Sequence, residues 1–274
     1  MIWRYMFPKE GGGSMRRIIQ LNRDMVARRL DEFKLTQAPT EKLKPLALFD
    51  FSRHDDAIDA MNTDISGRKG GWRFSDDETI GGFSASKLTF HPANRSDLHM
   101  EQTCQHPIVN SDLIPFLRFE GITDTTIPKG KNIMRSGFCA LRSPDFILGG
   151  ANIGEYYNAL EIKCRLDSRI YTVNLKVRTF FPDDLYQAFI TKPPKEQQNN
   201  DDDKEWNTLI LPFNEFALTA FGRIREVQRK LDGGVTIEHF GITLADGKDG
   251  EFRLDLASVN CINYYPEKSY WKAT

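Results

Sequence analysis

Three pairs of neighbouring aspartates, Asp55-Asp56, Asp76-Asp77 and Asp183-Asp184, are the residues of this chain whose type best suits general acid and base work. Adjacent carboxylates project in different directions and do not flank one bond. Turn chemistry, in which an Asp side chain accepts backbone N–H groups, accounts for them more economically. Nucleophile and nucleotide cradles are missing, since neither G-x-S-x-G nor G-x-x-x-x-G-K-[ST] occurs. The glycines of Gly149-Gly150-Ala151-Asn152-Ile153-Gly154 are not followed by a helical pattern, which a dinucleotide fingerprint requires, and they read as a turn between sheets. Cys104, Cys139, Cys164 and Cys261 are dispersed without a C-x-x-C pair, and His54, His91, His99, His106 and His239 are equally scattered. Neither a zinc site nor a disulfide scaffold is encoded, and the thiols read as buried or free in a reducing compartment. The triplet Asp201-Asp202-Asp203 lacks the spacing and the closing glutamate of a calcium loop. The sequence therefore predicts no catalytic residue, no metal site and no cofactor.

The elements that would position any site are short and β-like. Runs at 46–51, 86–90, 116–119, 137–141, 160–166, 170–177, 185–190, 208–211, 240–244 and 252–259 carry the strand signal. In Tyr171-Thr172-Val173-Asn174-Leu175-Lys176-Val177 the odd positions are apolar and the even ones polar, which directs one face to a core and the other to solvent. Phe252, Leu254 and Leu256 alternate in the same way with Arg253, Asp255 and Ala257. Ten such runs without intervening helices predict one all-β domain, two antiparallel sheets packed as a sandwich or jelly roll over 46–262. Residues 263–274 form a short tail. The long connections at 91–113 and 192–205 are polar, and the second has no apolar anchor to order it, so it should be a mobile loop that folding can spare.

Charge bounds the partners. The chain has 274 residues and a net charge of -1, so no global field recruits nucleic acid, and no uncharged apolar run approaches the roughly 18 residues of a membrane-spanning helix. Residues 1–45 differ from the rest: they are rich in arginine, and apolar positions over 17–35 recur with helical spacing. This predicts a basic amphipathic helix followed by a linker. An organelle transit sequence and a basic surface helix are both consistent with it.

The most specific local string is Gly71-Trp72-Arg73-Phe74-Ser75-Asp76-Asp77-Glu78-Thr79-Ile80-Gly81-Gly82-Phe83-Ser84. It reads as a strand entering a sharp corner, with Gly81 and Gly82 allowing positive φ or close approach and Asp76 or Asp77 accepting backbone N–H groups. Asp76, Asp77, Gly81, Gly82 and Ser84 are thus structural candidates. So are Pro212, Phe213 and Phe216, because in Leu211-Pro212-Phe213-Asn214-Glu215-Phe216 the proline ends a strand and the phenylalanines can seal the sandwich edge.

Taken in order, that corner, Gly137-Phe138-Cys139-Ala140-Leu141-Arg142-Ser143, Tyr186-Gln187-Ala188-Phe189, Trp206, the Leu-Pro-Phe string, Gly222-Arg223 and Phe252-Arg253-Leu254-Asp255-Leu256 resemble the complex I intermediate-associated protein 30 family over 46–262. The resemblance implies a galactose-binding-like β-sandwich and a non-enzymatic assembly factor. Such a factor is a chaperone-like scaffold for membrane-arm intermediates of mitochondrial respiratory complex I, in the matrix and with a peripheral inner-membrane contact. Its implied partners are complex I subunits and other assembly factors. One departure is Asp167-Ser168, where the family tends to have a Gly-Asp-Gly turn. Because binding energy concentrates in a few aromatic and arginine residues, Trp72, Phe83, Tyr186, Phe221 and Arg223 are the candidate partner contacts. The alternative is a carbohydrate-binding module of the same fold, in which Trp72, Tyr171, Tyr186 or Trp206 stacks on a sugar ring. The Arg-rich start, lack of an apolar signal peptide and dispersed cysteines favour the scaffold.

Overall fold

A computed structural model of the chain describes residues 44–53, 56, 57, 60, 71–93, 114–127, 136–146, 151–153, 157–179, 181–193, 205–231 and 236–265. The amphipathic helix expected within 17–35, most of both long connections and the tail from 266 lie outside these residues.

Two antiparallel sheets face one another across a single apolar core. Sheet A is ordered β10 (Asn207–Pro212), β7 (Ala159–Leu166), β14 (Gly250–Ile262), β4 (Phe116–Thr123) and β3 (Ala85–His91), with β1 (Leu46–Asp50) also on β14. The 13 residues of β14 make this possible: Gly250 to Leu256 pair with β4, and Ser258 to Cys261 continue along the same edge with β1, while β7 takes the other edge. Sheet B is ordered β12 (Arg223–Ile224), β11 (Ala217–Ala220), β9 (Asp184–Ile190), β8 (Tyr171–Val177), β13 (Thr236–Leu244), β5 (Cys139–Arg142) and β2 (Arg73–Asp76). The two-residue β6 (Ala151–Asn152) also pairs with β13.

Period-2 patterning fixes which side chains enter the core. On β8, Tyr171, Val173, Leu175 and Val177 are all buried, and on β13 so are Phe240, Ile242 and Leu244. Between the sheets an aromatic cluster forms around Trp72, whose ring lies 4.9 Å from Phe49, 5.6 Å from Phe51 and 6.5 Å from Phe240. Aromatic contacts of this kind add roughly 0.5–1.5 kcal/mol each beyond area burial. Phe213 and Phe216, in and just after the 3-10 turn that follows β10, are buried with their rings 6.4 Å apart.

The outer face of β14 departs from the simple alternation. Asp255 is only 1% exposed, because Arg118 from β4 (2.7 Å), Arg165 from β7 (2.8 Å) and Arg253 (3.2 Å) close over it. Phe116 and Trp206 then lie against the Arg165 guanidinium at 4.7 and 4.5 Å. Burial pushes the Asp255 carboxyl up, but the hydrogen bond and charge of Arg118, with Arg253 and Arg165, outweigh it and hold the group below the usual carboxylate range. A central strand flanked by long basic side chains is thus covered on both faces. His91, expected in a polar loop, ends β3 and stacks on Phe116 at 4.6 Å.

Candidate functional site

The corner after β2 turns on one carboxylate. Asp77 opens a 3-10 turn (Asp77–Ile80) that ends at Gly81, where φ is 96°. The Asp77 side chain is fully buried; it accepts the backbone N–H of Ser84 at 2.7 Å, the hydroxyls of Ser84 and Ser136 at 3.0 Å each, and the N–H of Gly137. Burial raises its pKa, yet the N–H groups of Gly137 and Ser84 and the two hydroxyls together lower it below the ordinary value. Asp76 points elsewhere and accepts the N–H and hydroxyl of Ser86 at 3.0 and 3.1 Å. The pair therefore joins sheet B to sheet A and to the segment entering β5, and is unavailable to chemistry. Two of the thiols are poor nucleophiles as well. Burial pushes Cys139 and Cys164 up to about 12, with the Asp76 charge adding to the effect at Cys139. Among the described residues no group of three or more His, Cys, Asp or Glu could hold a metal ion.

The candidate partner contacts separate into two classes. Trp72 and Tyr186 are 0% and 3% exposed, so they belong to the core and not to a contact surface. Their large apolar rings occupy inward positions of sheet B, which the sequence alone did not distinguish from outward ones. Phe83, Phe221 and Arg223 are exposed. Phe83 lies between the 3-10 turn after β2 and the start of β3, and Phe221 precedes β12; β2 and β12 are opposite edges of sheet B, roughly 29 Å apart at about 4.8 Å per strand step. They do not form one patch.

At the β12 edge the geometry is unusual. Phe221 and Gly222 form the two-residue loop between β11 and β12 with φ of 52° and 70°, as a type I′ hairpin requires. Asn or Gly suits the first position, whereas a phenylalanine there is strained by about 1 kcal/mol or more. Phe221 is nevertheless 80% exposed, and Ile224 and Val227 are 73% and 76% exposed beside it. The base of the hairpin is fastened. Gln228 accepts the Leu218 N–H at 2.7 Å and donates to the carbonyls of Leu218 (3.0 Å) and Arg225 (2.6 Å). Arg225 and Arg229 both pair with the buried Asp184, and both lie over the Phe181 ring, at 5.2 and 5.8 Å. Phe181, Ile224, Val227 and Gln228 were missed from the sequence. The Phe-Gly dipeptide between two short runs was the available signal, and β11 and β12 were too short to register as strands.

The aromatics of the carbohydrate reading form no platform. Trp72, Tyr171 and Tyr186 are core residues, and Trp206 is half-buried, edge-on to Phe116 at 5.7 Å and against Arg165.

The described residues thus form a β-sandwich with an acidic corner turned inward and an apolar hairpin turned to solvent. The chain belongs to the complex I intermediate-associated protein 30 family, whose family model matches residues 61–256. Proteins named "Complex I intermediate-associated protein 30, mitochondrial" from Neurospora crassa and from mouse are 26% identical over 159 residues and 27% identical over 194. The matches cover 56% and 68% of this chain but 53% and 50% of those proteins, so the chain spans about half the length of the curated relatives it matches. Among solved structures, the family 11 carbohydrate-binding module of a Clostridium thermocellum cellulase superposes with a TM-score of 0.46 at 11% identity, covering 83% of this chain and 99% of the module.

Proposed function

We propose that this chain is an assembly factor for mitochondrial respiratory complex I that works by binding partly built intermediates of the membrane arm, in the matrix and at the inner-membrane surface, without catalysing a chemical step. Family membership supports the setting, and the names of the relatives supply complex I and the mitochondrion. The observation that carries the binding role is Phe221, a large apolar side chain held in a strained conformation and left in solvent on a fastened hairpin. Strain of this kind persists where the surface serves a purpose beyond stability. Arg223 and Ile224 extend the contact, and the partners are complex I subunits or other assembly factors. Phe83, with Ile80 beside it at the opposite edge, offers a second and smaller contact.

The test is native-gel analysis of mitochondria from cells lacking the protein, rescued with wild type or with Phe221→Asn. Loss of mature complex I in the deletion, restored by wild type, is the expected result. Normal complex I in the deletion would overturn the assembly role, and full rescue with undiminished co-purification by the variant would overturn the hairpin as its contact.

A further inference from the structure

A second surface lies on the outer face of sheet B, far from the hairpin tip. The strand registers place six residues in one row across the sheet: Arg73 opposite Arg142, then Gly241, Asn174, Gln187 and Ala217. Two arginines thus face each other directly across β2 and β5, an arrangement that destabilises a sheet unless something negative lies between or above them. Asp145 answers one of the charges through its ion pair with Arg142. The Nε atoms of both arginines are buried without a hydrogen-bond partner.

The neighbours are mixed, since the Asp145 carboxylate also lies 3.5 Å from His239 Nδ1. The Arg142 guanidinium can only donate, so its 3.2 Å contact to His239 Nδ1 makes that nitrogen an acceptor and places the ring proton on Nε2. Burial first, and then the charges of Arg142, Lys176 and Arg73 against that of Asp145, lower the imidazole to about 4, so the ring is a neutral N–H donor. Next to Arg142 in the row, Gly241 lets the backbones approach closely, since a Cβ there would lie 2.9 Å from the Leu141 carbonyl oxygen. Asn174 is fixed by its bonds to Thr243 and Gln187, at 2.8 and 2.7 Å.

From this juxtaposition we infer that the outer face of sheet B is a phosphate-binding site. Arg73 and Arg142 grip the phosphate, and His239 supplies a further donor. With Asp145 already paired to Arg142, the phosphate answers the Arg73 charge and accepts from both forks, whereas one carboxylate matches only one fork. The phosphate can arrive on a soluble ester or on a lipid headgroup, and the two sources are separable by experiment.

The full chain is titrated calorimetrically with inorganic phosphate, with glycerol 3-phosphate, and with phosphatidylcholine vesicles with and without phosphatidic acid. Saturable binding is expected, weakened at least about tenfold in Arg73→Gln and in Arg142→Gln through loss of a charge-assisted fork. A response to the soluble ligands assigns a soluble ester; a response only to phosphatidic acid vesicles assigns a headgroup. In phosphate-free buffer Arg73→Gln is also expected to melt higher than wild type, since it relieves the like-charge pair, a shift that a merely structural arginine would reverse. No saturable response to any of the phosphate ligands, or unchanged binding in both variants, would overturn the site.

Discussion

Asp77 and Gly82 share one small volume: a methyl group on Gly82 would lie 2.4 Å from the Asp77 Cγ. The backbone of Gly82 comes this close because its own N–H bonds the Asp77 carbonyl at 2.7 Å while the carboxylate turns back to meet Ser84. The corner is built around a carboxylate, and the glycine is the residue that lets the chain close on it.

Gly82→Ala is therefore expected to displace the carboxylate and destabilise the domain. Asp77→Ala, which strands two N–H groups and two hydroxyls, should cost about 3 kcal/mol or more. Urea denaturation of the two variants checks this, and wild-type midpoints for both would contradict the corner's role.

Trp72→Ala should lose about 3–5 kcal/mol, as expected for a fully buried aromatic. Phe221→Asn should do the opposite, raising stability by about 1 kcal/mol because Asn accepts the left-handed conformation, while weakening capture of assembly intermediates. Thermal melting paired with co-purification separates the two, and a destabilised Phe221→Asn would mean that the side chain packs within the protein.

Gln228→Ala removes both side-chain bonds to the Leu218 backbone. Amide exchange at Leu218 should then accelerate, with a loss of about 1–2 kcal/mol of local stability, and little change at Val173 in the middle of sheet B. Unchanged protection at Leu218 would show that the hairpin base is held without Gln228.

The pH dependence follows from His239. Its folded pKa of about 4 lies below the ordinary 6.5, so between these values the unfolded chain binds more protons than the folded one. Stability is full above about 6.5 and falls as pH drops toward 4, by up to about 1.4 kcal/mol per unit for this one group. Below the ordinary carboxylate value of 3.8, protonation of Asp77, Asp246 and Asp255, all lowered in the fold, takes more. His239→Gln should flatten the upper part of this profile in denaturation series across pH, and an unaltered slope would assign it to other groups.

Strand-forming residues were legible in the sequence where alternation ran long enough, as at Tyr171 to Val177, because inward and outward positions differ in polarity there. The same rule failed at Asp255, whose burial comes from arginines 90 and 137 residues away in the chain, a pairing that only register reveals. It failed again at Trp72 and Tyr186, since an aromatic beside a surface corner and one in the core look alike in sequence. The Arg73–Arg142 pair was invisible for the first of these reasons. Phe221 was legible as a position, but its strain was not, because that depends on a loop of two residues between strands of four and two.

β14 pairs with β1, β4 and β7, so the centre of sheet A is synthesised after all the other described strands. Until residues 250–262 have left the ribosome, β1 has no neighbour and the β3–β4 and β7–β10 pairs stay unjoined, with apolar faces open to other chains. A nonsense codon before β14 therefore leaves sheet A as separate pieces in place of a smaller sheet.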